Sequence, residues 1–294
     1  MEIKTLKGCI FAVISAVIYG CMPLMAKYIY ADGVTPLTLV FLRNLFALIP
    51  LAVLAYRERK TLKIPLSVLP AVGFMSLLGV CLTPVLLFSS YNYIPSGLST
   101  VLHFAYPTFV VLAEILFMRQ KARLSSILSV VLCTVGIAMF YTPQQDFNLT
   151  GSTLALLSAV AFAGYVVLLS HFDCSKLSGF SLTFYTTLIG GVATFCICIA
   201  TNQLSLPTTA FGWGLSILFS LLVTLGAVVL FQKSTLLIGG ECSSILSTLE
   251  PITSLLLGVI IFSEPFGLLT LLGTALVLAA SIITVFFKMA KKKP

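Results

Sequence analysis

Apolar residues in this chain do not alternate with polar ones; they gather into runs of about 20 residues that recur from end to end, each long enough to cross roughly 30 Å of hydrocarbon. The runs fall near 7–29, 36–56, 66–89, 95–118, 124–141, 151–171, 179–201, 211–232, 240–262 and 266–287. The breaks between them are short and rich in turn residues, as in Ala31-Asp32-Gly33, Thr142-Pro143-Gln144-Gln145-Asp146 and Ser205-Leu206-Pro207. None is long enough to hold a soluble domain. The pattern predicts an all-α integral membrane protein of ten transmembrane helices.

Composition agrees with that picture: 59% of the 294 residues are hydrophobic and 9% are charged, against roughly 25% charged in a soluble domain. Lys4 and Lys7 precede the first apolar run, but the run continues to about Ile29 without an A-x-A-like cleavage site, so it reads as a first span and not as a signal peptide. The net charge of +8 would raise the question of nucleic acid in a soluble chain. Here its distribution gives another reason. Lys4, Lys7, Arg57, Arg59, Lys60, Lys63, Arg119, Lys121, Arg123, Lys176, Lys233, Lys288, Lys291, Lys292 and Lys293 all fall on one side of a ten-span arrangement, and the opposite loops carry only Asp32, Asp146 and Glu264. Cytoplasmic loops retain Lys and Arg, so both termini are expected in the cytoplasm and no nucleic-acid partner is implied. The cysteines lie mostly inside apolar runs without C-x-x-C spacing and read as small packing residues; no metal site, disulfide framework or cofactor is expected.

Displacing the sequence against itself by 143 or 144 residues superposes a set of landmarks. Gly8 meets Gly151, Ser15-Ala16 meets Ser158-Ala159, Phe41 meets Phe184, and Pro107 meets Pro251. Ser99-Thr100-Val101-Leu102 meets Ser243-Ser244-Ile245-Leu246 in nearly the same register. The reading is two repeats, 1–144 and 145–294. Five spans is an odd number, so the second copy enters the membrane from the other side, which makes the repeat an inverted one.

The candidate chemistry lies inside the spans. The fourth carries Ser96, Thr100, His103, Pro107 and Glu114 on one helical face, and the ninth carries Ser243, Ser247, Glu250 and Ser254. Pro107 and Pro251 each remove a backbone donor in mid-span, which would free the carbonyls of His103 and Ser247 to line a cavity. Arg43, His103 and Glu250 lie about 10, 12 and 15 Å from the nearest membrane end. An ionisable group at that depth costs on the order of 2.5–3.5 kcal/mol and is read as functional. Arg43 is expected to meet an anionic group of a cargo, and Glu250, with His103, a proton or a cationic group; the competing expectation is a structural Arg43–Glu250 ion pair. Tyr19, Tyr106, Tyr165 and Tyr185 either line an aromatic-tolerant pocket or pack. Lys27 falls at the outer interface, Glu114 reads as a solvated interfacial residue near Arg119 and Lys121, and Phe211 and Trp213 as interface aromatics.

With these landmarks the chain resembles the ten-helix EamA-like branch of the drug/metabolite transporter superfamily, over essentially its whole length. The resemblance rests on Leu249-Glu250-Pro251, Phe262-Ser263-Glu264-Pro265 and Leu271-Leu272-Gly273 in the second half, and on Tyr106-Pro107 and Val135-Gly136-Ile137 in the first. It implies a secondary transporter or exporter of small metabolites, amino acids or drugs in a bacterial cytoplasmic membrane, with a cavity between the repeats. The chain departs from the family pattern where Tyr106 and Gln120 stand in place of a frequent Glu, and His103 is not a general family feature. No G-x-S-x-G, H-E-x-x-H or G-x-x-x-x-G-K-[ST] occurs, so neither an enzyme nor an ATP-driven pump is indicated. The alternative is a membrane sensor or structural membrane subunit without transport. No G-x-x-x-G occurs either, so the sequence gives no dimer signal.

Overall fold

Inside hydrocarbon a helix pairs its own backbone groups, and these apolar runs leave little alternative. The computed structural model describes residues 3–59, 65–118, 124–140, 148–171, 179–264 and 266–290, and among them every regular element is helical. Seven stretches are long and apolar enough to cross a membrane: Thr5–Ala31, Pro36–Glu58, Leu69–Ser90, Ser96–Phe117, Leu149–Leu169, Gly179–Ala200 and Ala210–Phe231. Three shorter apolar helices accompany them, Ile127–Met139, Leu249–Phe262 and Leu268–Ile283. The basic residues Lys60, Lys63, Arg119, Lys121, Arg123, Lys176, Lys291, Lys292 and Lys293, together with Gln120 and the 142–146 turn, lie outside the described residues.

Several spans are interrupted, and the interruptions follow the prolines. The first is two helices, α1 (Ile3–Gly20) and α2 (Met22–Ala31), with Pro23 opening the second. After α3 (Pro36–Arg59), the third span runs as α4 (Leu69–Met75), a wider π-helical stretch Ser76–Leu82, and α5 (Thr83–Ser90), whose first turn holds Pro84. The fourth span, Ser96–Phe117, is broken near the expected proline into two helices, α6 (Ser96–His103) and α7 (Tyr106–Met118), parted at Phe104-Ala105. Proline is tolerated in a first helical turn, where its missing donor has no intrahelical partner. It therefore restarts the helix and does not merely bend it. The carbonyl of Phe104 at this break accepts from Ser281 Oγ at 2.8 Å.

The second half repeats these irregularities. Following α8 (Leu124–Met139), α9 (Leu149–His171) and α10 (Gly179–Ala200), α11 (Ala210–Ser220) passes through a second π-helical stretch, Leu221–Ala227, into α12 (Val228–Leu246). A break at Ser247-Thr248 then precedes α13 (Leu249–Phe262), and α14 (Leu268–Ala290) closes the chain. No loop separates the expected eighth and ninth spans. Yet Ser234 Oγ and Ser243 Oγ lie 2.7 Å apart, whereas nine residues of straight helix would hold them about 13.5 Å apart along the axis. The chain turns back within this interval, which contains Gly239 and Gly240.

Packing joins the two halves throughout: α3 lies against α10, α8 against α14, and α1 against α12 and α13. Between α8 and α14 the backbones meet at Gly136 and Gly273, where a Cβ on either would come within 2.8 Å of the other's carbonyl oxygen. At the end of the bundle that bears the acidic loops, two carboxylates cross from one half to the other. Asp32 accepts from Thr208 N at 3.0 Å, Thr208 Oγ1 at 2.8 Å and Thr209 N at 3.2 Å. Glu264 accepts from Lys27 Nζ, from Ser96 N at 3.0 Å and from Ser96 Oγ at 2.8 Å. Lys27 thus ends in an ion pair, with its ammonium also 4.4 Å from the centre of the Phe262 ring.

Candidate substrate site

The two polar stripes read from the fourth and ninth spans face each other. Thr100 Oγ1 and Ser254 Oγ are 3.1 Å apart, and a Cβ on Gly97 would strike the backbone of Leu255. The helix breaks at 104–105 and 247–248 therefore sit across from one another in the middle of the bundle, His103 ending α6 and Glu250 lying in the first turn of α13.

Tyrosines connect the ionisable residues that sequence placed near the midplane. Tyr19, at the end of α1, is close enough to both Arg43 and Glu250 for their charges to act on its phenol, and it also neighbours Tyr165. Glu250 acts likewise on Tyr106 and on Tyr91. The ring of Tyr106 lies 5.9 Å from His103 and 4.7 Å, edge to face, from Phe162. Phe162 in turn stacks on Tyr165 at 5.7 Å and sits 5.4 Å from His103. Tyr165, Phe162, Tyr106 and His103 form a continuous row of ring contacts, with Arg43 in the neighbourhood of Tyr19 and Glu250 in that of Tyr19 and Tyr106.

Among the described residues the ionisable side chains Arg43 and Glu250 meet no partner of opposite charge. Arg43 and Glu250 form no ion pair among the described residues, which overturns the structural-pair expectation. Arg43 Nε is shut away without a hydrogen-bond partner while the residue as a whole stays only part-buried; Glu250 is part-buried too. The Tyr91 hydroxyl is buried without a partner, and so are both polar atoms of Asn44, the residue next to Arg43. The row is an interior surface with unused polar capacity, where protein interiors ordinarily satisfy such groups.

Other expectations are redirected. The carbonyl of Ser247, freed by Pro251, is taken at 3.0 Å by the N–H of Glu250, so it is not loose. Glu114 is 8% exposed, a buried residue and not a solvated one. Tyr185 packs edge to face on Phe184 at 5.2 Å within a cluster around Val68, Val72 and Met75. Pro107 and Pro251 are buried at the restarts of their helices. Three members of the site escaped the sequence reading. Tyr91 falls just past an apolar run, Phe162 is one aromatic among 22 phenylalanines, and Ser158 counted only as a repeat landmark.

Comparison with known proteins adds the family. A model described as the EamA-like transporter family matches this chain twice, at residues 6–142 and 149–286. Similar curated proteins include the uncharacterized inner membrane transporter YicL of Salmonella typhimurium, 28% identical with 95% of each chain covered. Another is the uncharacterized transporter YcbK of Bacillus subtilis, 24% identical over 90% of this chain and 88% of that protein. A solved crystal structure superposes with a TM-score of 0.63 over 97% of this chain and 99% of that one at 13% identity, a likeness of fold.

Proposed function

The chain belongs to the EamA-like transporter family of the drug/metabolite transporter superfamily, and from that premise we propose that it carries small metabolites, amino acids or related compounds by alternating access between two inverted five-helix repeats. The repeats are 1–144 and 145–294, giving ten spans in the cell membrane with both termini cytoplasmic. The reading is supported by the two family matches and by recurring irregularities: π-helical stretches at Ser76–Leu82 and Leu221–Ala227, 145 residues apart, and helix breaks at 104–105 and 247–248, 143 apart. It is also supported by the reversal of the chain between Ser234 and Ser243, which divides the eighth span from the ninth. Two similar halves of opposite orientation give two related packings, one open to each side.

The observation that carries the function is the pair of interior ionisable side chains, Arg43 and Glu250, both near Tyr19 and joined by no ion pair. Unpaired interior charges are expensive in a membrane protein, and transport gives them a purpose: Arg43 takes an anionic group of the cargo, and Glu250 takes a proton or a cationic group. Ser247 and the aromatic row shape the space. The test is flux of a mixed amino-acid and metabolite panel in proteoliposomes, with and without an imposed pH gradient, for the parent and Glu250→Gln. Gradient-driven flux that the substitution abolishes is the expected result. Saturable flux indifferent to both gradient and substitution removes Glu250 from the mechanism, and no saturable flux for any compound returns the chain to the sensor or structural class.

A further inference from the structure

We infer that Ser158 is a positioning residue that fixes His103 as the Nδ1–H tautomer, so that Nε2 is presented to the cargo as an uncharged hydrogen-bond acceptor. This deepens the transport reading and rests on it for the cargo contact, though not for the tautomer.

Ser158 Oγ lies 2.6 Å from the carbonyl oxygen of Ala155 and 2.9 Å from His103 Nδ1. A carbonyl oxygen can only accept, so two oxygens at that separation need a proton between them, and a serine has one to give. The proton is spent on Ala155. Nδ1 must then be the donor to Ser158. A neutral imidazole carries one N–H, which leaves Nε2 with a bare lone pair. The surroundings of His103 suit the neutral ring: it is 8% exposed, flanked by Tyr106 and Phe162, and among the described residues no carboxylate lies within 4.0 Å to balance a second proton. Burying an unpaired charge there would be costly.

The rest of the fold argues that this pair is more than packing. The serine matching Ser158 in the first repeat, Ser15, donates to the carbonyl of Ala227 at 2.7 Å and holds no histidine. The same serine position thus ties down backbone in one half and orients an imidazole in the other. Nε2 has no hydrogen bond to the described residues and is not among the polar atoms sealed from solvent without a partner. The imidazole itself lies against Tyr106 and Phe162. A bare acceptor recognises a donor, so His103 takes an ammonium, amide N–H or hydroxyl of the cargo and not its carboxylate.

The test is ¹⁵N NMR of histidine-labelled protein in nanodiscs, with His171→Asn used to assign the two histidines. The parent is expected to show a protonated Nδ1 and an unprotonated Nε2 at His103, Ser158→Ala to lose that fixed tautomer, and Ser158→Thr to keep it. Phenethylamine is expected to shift the Nε2 resonance and 3-phenylpropionate to leave it. A protonated Nε2 in the parent, or a tautomer unchanged in Ser158→Ala, overturns the positioning role. An Nε2 unmoved by the amine, or moved by the carboxylate, overturns the donor contact. None of these readings requires flux, so they stand apart from the proteoliposome outcome. In flux, Ser158→Ala is expected to raise KM for amine-bearing cargo about five- to tenfold, the loss of one hydrogen bond's worth of orientation, with kcat little changed.

Discussion

Two sets of ionisable groups in this molecule are treated in opposite ways. At the acidic end, Glu264 meets Lys27, Ser96 N and Ser96 Oγ, and Asp32 meets the backbone and side chain of Thr208 and the backbone of Thr209. In the interior of the bundle, Arg43 and Glu250 both lie near Tyr19 and form no ion pair, and Tyr91 and Asn44 keep polar atoms unpartnered. The satisfied set ties the halves together; the unsatisfied set is where the proposed cargo would find its partners. Sites that bind or react commonly give up stability in this way, and the rest of the fold must supply it.

The comparison is broken most decisively at Arg43. If the guanidinium waits for an anionic group, Arg43→Met lowers kcat/KM about 10- to 150-fold, the loss of a charge-assisted hydrogen bond of about 1.5–3 kcal/mol. Removing a charge that no described residue balances leaves the apparent unfolding midpoint in nanodiscs unchanged or raised. A mutant that unfolds early would place Arg43 in the satisfied set. Lys27→Met has the reverse signature. It strands the Glu264 carboxylate, which is 8% exposed on its side chain, and lowers stability by about 1.5–3 kcal/mol. Adding Glu264→Gln restores part of that loss, because the pair is coupled. An additive double mutant would show that the ion pair contributes nothing.

Most of the helical architecture could be read from the chain because membrane insertion writes itself into long apolar runs, and Pro107 and Pro251 marked where two of the helices break. What escaped depends on hydrogen bonding that leaves no trace in hydropathy. The π-helical stretches Ser76–Leu82 and Leu221–Ala227 look like ordinary apolar sequence. The prolines announced a break but not its form: a restarted helix whose freed Phe104 carbonyl is taken by Ser281, and a Ser247 carbonyl taken by the next turn. Arg43, His103, Tyr106 and Glu250 stood out as polar groups where lipid should be, whereas Phe162 and Tyr91 join the site only through their neighbours.

A smaller effect separates the two sets by pH. Burial alone would raise the Glu264 carboxyl, but the hydrogen bond from Lys27, those from Ser96 and the Lys27 charge outweigh it and hold the group below the ordinary carboxylate range. A carboxyl depressed in the folded state contributes stability that is fully present above its unfolded value, near pH 4.3, and is lost as pH falls through the folded one. The apparent midpoint is therefore expected to drop between about pH 4.3 and the lower folded value. Glu264→Gln should flatten that part of the profile. A Glu264→Gln profile identical to that of the parent would mean the acidic end is held by something other than this carboxylate.

The smallest effect tests whether the fourth and ninth spans close on each other through their hydroxyls or through shape. Thr100 Oγ1 is shared between the carbonyl of Ser96 at 3.0 Å and Ser254 Oγ at 3.1 Å, and both residues are buried. Interhelical hydrogen bonds in membranes average only about 0.6 kcal/mol, because the unfolded helices in lipid also find partners. Thr100→Val keeps the branched shape, so it should cost about that much, while Gly97→Ala, which drives a methyl into the Leu255 backbone, should cost about 1–3 kcal/mol. If the order is reversed, the hydroxyl pair and not close backbone approach holds the two stripes face to face, and the polar row they support is anchored by chemistry stronger than the packing around it.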